Sequence, residues 1–203
     1  MELDVAPASN RAGSDLATLV SEEVARQLAA HVERLEAAIA EVRQRTVDDR
    51  ATLVVFSGDL DKMLAAFIIA TGAAAAGLET SMFFTFWGLS VLKKKGAAGG
   101  AKGLKERMFA MMTPSGSESL GTSKMNFGGI GARMLRAMMK DKEIASLEEL
   151  IALARELDVK MMACTMSMDA MGVSKEELAG GLEYCGVATY LADAARSRVT
   201  LFI

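Results

Sequence analysis

Histidine and cysteine are nearly missing from this 203-residue chain: His31 stands alone, and Cys164 and Cys185 are the two thiols. Two cysteines in a chain of this length do not make a disulfide framework, so their use fits a reducing cytoplasm better than a secreted scaffold. With one histidine they also fall short of the usual four-ligand zinc set. A Ser-His-Asp triad would have to use His31, which falls on an N-terminal helical segment away from the rest. There is no Walker A sequence. Charge is also nearly balanced, at a formal −3, too little to argue for nucleic acid or an anionic membrane surface. Prolines number two and aromatic residues are few, whereas methionines number fifteen. Methionine fills irregular core gaps and also suits adaptable surfaces.

Long hydrophobic runs are missing too. Residues 63–78 are uncharged, and 80–92 are uncharged again after Glu79. Neither reaches the roughly 18 apolar residues of a membrane-spanning helix. A carboxylate between them would be costly in lipid, so the region reads as a buried core. Residues 1–16 carry acids and no apolar signal-like stretch, which argues against a secretory leader.

What is present reads as a leader, a helix and one α/β domain. Residues 1–14 are expected to be disordered. Residues 15–46 form a helix with two interleaved seven-residue series, Ala25/Val32/Ile39 and Leu28/Leu35/Val42. That seam spans under three heptads. It suits an oligomerisation or docking helix, or an amphipathic helix packed on its own domain.

The α/β domain, residues 51–203, opens with Thr52-Leu53-Val54-Val55-Phe56-Ser57, a continuous apolar run typical of a strand covered on both faces. A helix from Leu60 to Ala76 and a strand over Thr80-Ser81-Met82-Phe83-Phe84-Thr85-Phe86 complete a βαβ unit. An insertion over 88–142 carries Lys93-Lys94-Lys95, glycines, and helical patches at 104–112 and 130–139. Its basic run is a solvated loop or a docking patch for an acidic protein. Ser146 and Ser174, each followed three residues later by a glutamate, are capping boxes. A strand ends on Cys164, the residues around Cys185 read as a short strand, and Val199 to Ile203 closes the domain. Strands alternating with helices predict a mainly parallel sheet of four to five strands with helices on both faces.

Sites in such sheets lie beyond the carboxyl ends of the strands. That rule gathers Asp59, Asp61, Trp87 and Cys164 on one edge. Cys164 and Ser167 form Cys-x-x-Ser; a helix starting near Thr165 would favour a thiolate there. The plain reading is that Cys164 is a small buried apolar residue. Cys185 is a core residue, or a second, resolving thiol if the two strand ends are adjacent. Phe127-Gly128-Gly129-Ile130-Gly131 lacks the full dinucleotide fingerprint and follows no expected strand, so it reads as a hinge before a helix.

Taken together, Val54-Val55-Phe56-Ser57-Gly58-Asp59-Leu60-Asp61-Lys62, Met82-Phe83-Phe84-Thr85-Phe86-Trp87-Gly88 and Ala163-Cys164-Thr165-Met166-Ser167-Met168-Asp169 resemble the DsrE/DsrF/DsrH-like proteins, especially the larger DsrE-type subgroup often labelled peroxiredoxin-family proteins. Lys124-Met125-Asn126 and Val199-Thr200-Leu201-Phe202-Ile203 fit as well, so the likeness covers residues 52–203. It implies a three-layer α/β/α sulfur-relay fold that assembles into homo-oligomers. It further implies sulfane sulfur carried as a persulfide on Cys164, no cofactor or metal, and a TusA-like carrier or rhodanese-type protein as partner. Asp59, Trp87 and Ser167 are expected to shape the pocket. No family role carries over to Cys185.

The expected function is therefore a cytoplasmic sulfur carrier or sulfurtransferase that binds no nucleic acid, with interrupted apolar runs arguing against membrane association. Two other readings stay open: a binding or oligomeric scaffold with a structural cysteine, and a thiol peroxidase using Cys164 with Cys185.

Overall fold

The computed structural model describes residues 9–45, 47–95, 114 and 116–203, with the side chains of the first helix described over 19–42. Residues 1–8 of the expected leader, and the 104–112 helical patch with its glycine-rich approach, lie outside the described residues. The chain divides at position 46/47 into two units. The first is helix α1 (Ser9–Arg45), which begins at Ser9 where a helix was expected from Asp15. Along it Leu28, Val32, Leu35, Ile39 and Val42 are exposed.

The second unit is a five-stranded sheet in the order β4-β3-β2-β1-β5. In chain order its elements are β1 (Asp48–Val55), α2 (Leu60–Ala75), β2 (Glu79–Phe84), a 3-10 turn (Phe86–Leu92), α3 (Ile130–Asp141), α4 (Leu147–Glu156), β3 (Lys160–Cys164), α5 (Thr165–Met171), β4 (Glu183–Cys185), α6 (Val187–Ala194) and β5 (Ser197–Phe202). Every strand pairing is parallel; one isolated antiparallel bridge joins Lys93 to Leu178. The expected sheet is found, at the upper end of its strand count.

Side-chain alternation assigns the two faces. Leu53, Val55, Met82, Phe84, Met161 and Ala163 enter the main core with residues of α2, α3, α4 and α5. Phe83, Met162 and Cys164, one residue out of phase, form a separate cluster with Cys185 and Tyr190 of α6. Opposite phases on a pleated strand mean opposite faces. Of the helices that bound the main core, α4 is capped: at Ser146 the hydroxyl accepts from Glu149 N–H while the Glu149 side chain accepts from Ser146 N–H, satisfying two donors that a helix start leaves open. The Ser174 box is also formed, on a short 3-10 turn.

Connection order explains why α6, alone among the described helices of this unit, packs on the second face. From β1 the chain steps outward in one direction through β2 and β3 to β4, then returns past β1 to place β5 on the opposite side. Right-handed crossovers taken in opposite directions put their helices on opposite faces of the sheet. Thus α5, leaving β3, goes to the main-core face, and α6, leaving β4, goes to the other. The carboxyl ends of β3 and β4 form the topological switch point, where open parallel sheets leave a crevice.

Candidate functional site

Cys164 is the last residue of β3 and the N-cap of α5, with extended backbone (φ −70°, ψ 113°). Its sulfur accepts no capping hydrogen bond. The residue is 2% exposed, packed with Phe83, Met162 and, across the second face, Tyr190. The Tyr190 ring stacks on Phe83 at 5.1 Å between centroids. Burial pushes the Tyr190 phenol above its ordinary value, as expected where the charged form is desolvated.

Directly across from Cys164, on the neighbouring strand, stands Cys185. The parallel register pairs Met162 with Glu183, Ala163 with Tyr184 and Cys164 with Cys185. In-register residues of adjacent parallel strands share a face, with the strands about 4.8 Å apart. Both thiols are free, Cys164 buried and Cys185 partly open. Thr165 Oγ1 donates to Cys185 O at 3.4 Å, tying the start of α5 to the end of β4. Burial raises the Cys185 thiol above its usual range; negative charge at Glu183 and Cys164 adds to this, and the Lys160 ammonium opposes it. Lys160 is itself held by Glu183, at 3.1 Å, and by Asp193, at 3.8 Å.

Ser167 is fully buried, and its hydroxyl turns to Thr85 Oγ1 at 2.7 Å. The Cys-x-x-Ser spacing therefore anchors the first turn of α5 to the end of β2. Thr85 was not singled out from the sequence. Its only signal was its place near the end of the expected strand over residues 80–86.

Asp59 and Trp87 come together elsewhere. They line a cleft of about 390 Å³ with Phe56, Ser57, Gly58, Lys62, Ser90 and Pro114. Asp59 accepts from Ser57 Oγ at 2.9 Å and pairs with Lys62 at 2.9 Å. Cys164 is not among the lining residues. The parallel strands do end on one edge, but this cleft leaves Cys164 out: β2 stands between β1 and β3, and Cys164 clusters with Phe83, Met162 and Cys185. Asp61 likewise faces away, accepting hydrogen bonds from Ser123 N–H and Ser123 Oγ. Next to Trp87, the backbone is tight. Phe86 has φ 45°, a conformation uncommon for a bulky residue. A Cβ on Gly88 would lie 2.1 Å from Val55 O.

The Phe127-Gly128-Gly129 stretch is a 3-10 turn whose two glycines have positive φ, leading into α3. No helix among the described residues is long and apolar enough to cross a membrane.

Residues 47–202 match the DsrE/DsrF/DrsH-like family. The chain is 48% identical over 154 residues to the uncharacterized protein YrkE of Bacillus subtilis (strain 168), covering 76% of this chain and 96% of that protein. It is 36% identical over 161 residues to the sulfur carrier protein DsrE2 of Allochromatium vinosum, covering 76% of this chain and 98% of that protein. The crystal structure of the ychN protein from E. coli aligns with a TM-score of 0.44 and 10% identity, over 76% of this chain and 99% of that one.

Proposed function

The chain belongs to the DsrE/DsrF/DrsH-like family, and from that premise we propose that it is a sulfur carrier or sulfurtransferase that holds sulfane sulfur as a persulfide on Cys164. The observation that supports this most is positional. Cys164 ends a central strand at the sheet's switch point, inside the segment that is similar to a protein described as a sulfur carrier. In the proposed step, the Cys164 thiolate attacks the terminal sulfur of a donor R–S–SH. R–S⁻ leaves and Cys164–S–SH forms; an acceptor thiolate later reverses the exchange. Such exchange needs an ionised sulfur and a leaving thiolate, with no metal or organic cofactor.

In this reading Ser167 positions α5 through Thr85. Asp59 and Trp87 shape a cleft that receives the partner protein rather than contacting the thiol. The partner is a TusA-like carrier or a rhodanese-type protein, and the setting is the cytoplasm, where free thiols persist. The exposed seam of α1 is assigned to self-association or docking, since an apolar stripe of this period is satisfied by a second helix. Leu28→Glu with Leu35→Glu would then lower the particle mass in sedimentation without altering the α/β unit's spectrum.

Intact mass after incubation with a persulfide donor tests the main reading. A gain of one sulfur atom that peptide mapping places on Cys164 is expected. No gain, or a gain that never maps to Cys164, rejects Cys164 as the carrier. The in-register thiols also favour a second reading, a thiol peroxidase. It requires a peroxide-dependent Cys164–Cys185 disulfide, and non-reducing peptide mapping that finds none removes it.

A further inference from the structure

A carrier thiol must meet the thiol of another molecule, yet Cys164 is 2% exposed. Phe83 and Met162 cluster with it, and Tyr190 of α6 packs against that cluster, stacked on Phe83. One neighbour breaks this seal with chemistry of the same kind. Cys185 is the in-register partner of Cys164, shares its face, and is partly open to solvent. It ends β4 two residues before the exposed Val187 that starts α6, and Met166, two residues after Cys164 in α5, is exposed as well. We propose, resting on the carrier role of Cys164, that Cys185 is the receiving thiol that exchanges sulfane sulfur with outside molecules and passes it inward to Cys164.

Two balanced exchanges describe the relay. The Cys185 thiolate attacks the terminal sulfur of a donor R–S–SH, forming Cys185–S–SH and releasing R–S⁻. The Cys164 thiolate then attacks that terminal sulfur, forming Cys164–S–SH and releasing the Cys185 thiolate. One S–S bond forms and one breaks in each step, and no external oxidant or reductant is consumed. Delivery runs the two steps in reverse.

The geometry supports each part. Neighbouring strands at about 4.8 Å keep the two sulfurs on one face at a separation short enough for direct exchange. The Thr165–Cys185 hydrogen bond fixes the two strand ends to each other. The Lys160 ammonium lowers the Cys185 thiol, which favours the thiolate that attacks the donor and that is released again when Cys164 takes the sulfur. Negative charge on Cys164 disfavours it on Cys185, so one thiol attacks while its neighbour carries the sulfur or a proton. Burial of Cys164 protects the stored persulfide from reductants, and the partly open Cys185 supplies the access that storage denies.

Rapid-quench alkylation with glutathione persulfide as donor, followed by peptide mapping, tests the relay on the full chain. In the unaltered protein, sulfur is expected on Cys185 first and on Cys164 afterwards. In Cys164→Ser it should stop on Cys185. In Cys185→Ala, loading of Cys164 should slow by about tenfold or more, because the donor must wait for local opening, and should still reach completion on long incubation. If Cys185→Ala loads Cys164 at the unaltered rate, or Cys164→Ser takes up no sulfur on Cys185, the relay is overturned and the Cys164 carrier stands. If sulfur stays on Cys185 in the unaltered protein and never reaches Cys164, the carrier reading itself fails, and the relay with it. The order of labelling in the unaltered chain keeps the test independent of how well either variant folds.

Discussion

The Thr85 and Ser167 hydroxyls lie 2.7 Å apart in the buried interior and bond to each other. The contact joins the end of β2 to the first turn of α5, immediately after Cys164. Truncating one member strands the other: a buried, unsatisfied hydroxyl costs about 1–3 kcal/mol. Ser167→Ala is therefore expected to lose that much stability in urea unfolding. Adding Thr85→Val should cost less than the sum of the single changes, because the second substitution removes the orphan left by the first. Strict additivity would mean that the two hydroxyls are satisfied elsewhere.

Gly88 is held between Phe56 O and Thr85 O, to which its N–H is bonded at 2.9 and 3.0 Å. A Cβ there would meet the Val55 carbonyl oxygen at 2.1 Å, and that oxygen belongs to the backbone of a central strand. Since no side chain can swing aside, Gly88→Ala should cost about 3 kcal/mol or more. The neighbouring Trp87, the chain's one tryptophan, reports the shift by its fluorescence. Gly72→Ala, with nothing within 4 Å of its Cβ, is the matched control and should not destabilise. An unchanged Trp87 spectrum and stability in Gly88→Ala would contradict this packing.

The strands of the sheet were legible because β1, β2 and β3 are buried on both faces and spell continuous apolar runs. The helix starts at Ser146 and Ser174 were legible because capping is local chemistry. The neighbour of Cys164 was not. Strand β4 is the three residues Glu183–Cys185, too short to show an alternation of its own, and its place beside β3 depends on the order of the whole sheet. The same topology separates Asp59 from Cys164, since two strands may end on one edge without touching. A rule about edges locates a site only as finely as the strand order is known. Ser167 shows the complementary limit: the sequence marked the residue, but its partner Thr85 lies 82 positions away.

Asp61 gives an acid-side test. Burial alone would raise its carboxyl, but hydrogen bonds from the Ser123 hydroxyl and N–H, with the Lys62 charge, outweigh this and hold it below the ordinary value. A carboxyl depressed by folding stabilises the protein above its unfolded value, about 3.9, and that contribution fades as pH falls through that value towards the folded one. The melting-temperature gap between the unaltered protein and Asp61→Asn should therefore be greatest near neutrality and shrink below about pH 4. A gap that widens on acidification would mean that the Ser123 contacts do not favour the charged form.

The charges around Cys185 give a test on its reactivity. The thiol sits above its usual range because of burial, then Glu183, while Lys160 pulls it down and a charged Cys164 pushes it up again. Removing the cation should raise it further, so Lys160→Met is expected to slow alkylation of Cys185 at neutral pH. Glu183→Gln should speed it. Lys160 and Glu183 are partly exposed and paired with each other, so solvent screening limits each effect to about twofold to fivefold. Added salt should shrink both, because it screens exposed charges. The informative variant is Cys164→Ser, which removes the neighbouring thiol without touching the surface pair. Its Cys185 should alkylate faster, with the pH profile displaced downward. An undisplaced profile would mean that the two in-register sulfurs do not share their charge, and would leave Cys185 responding to Lys160 and Glu183 alone.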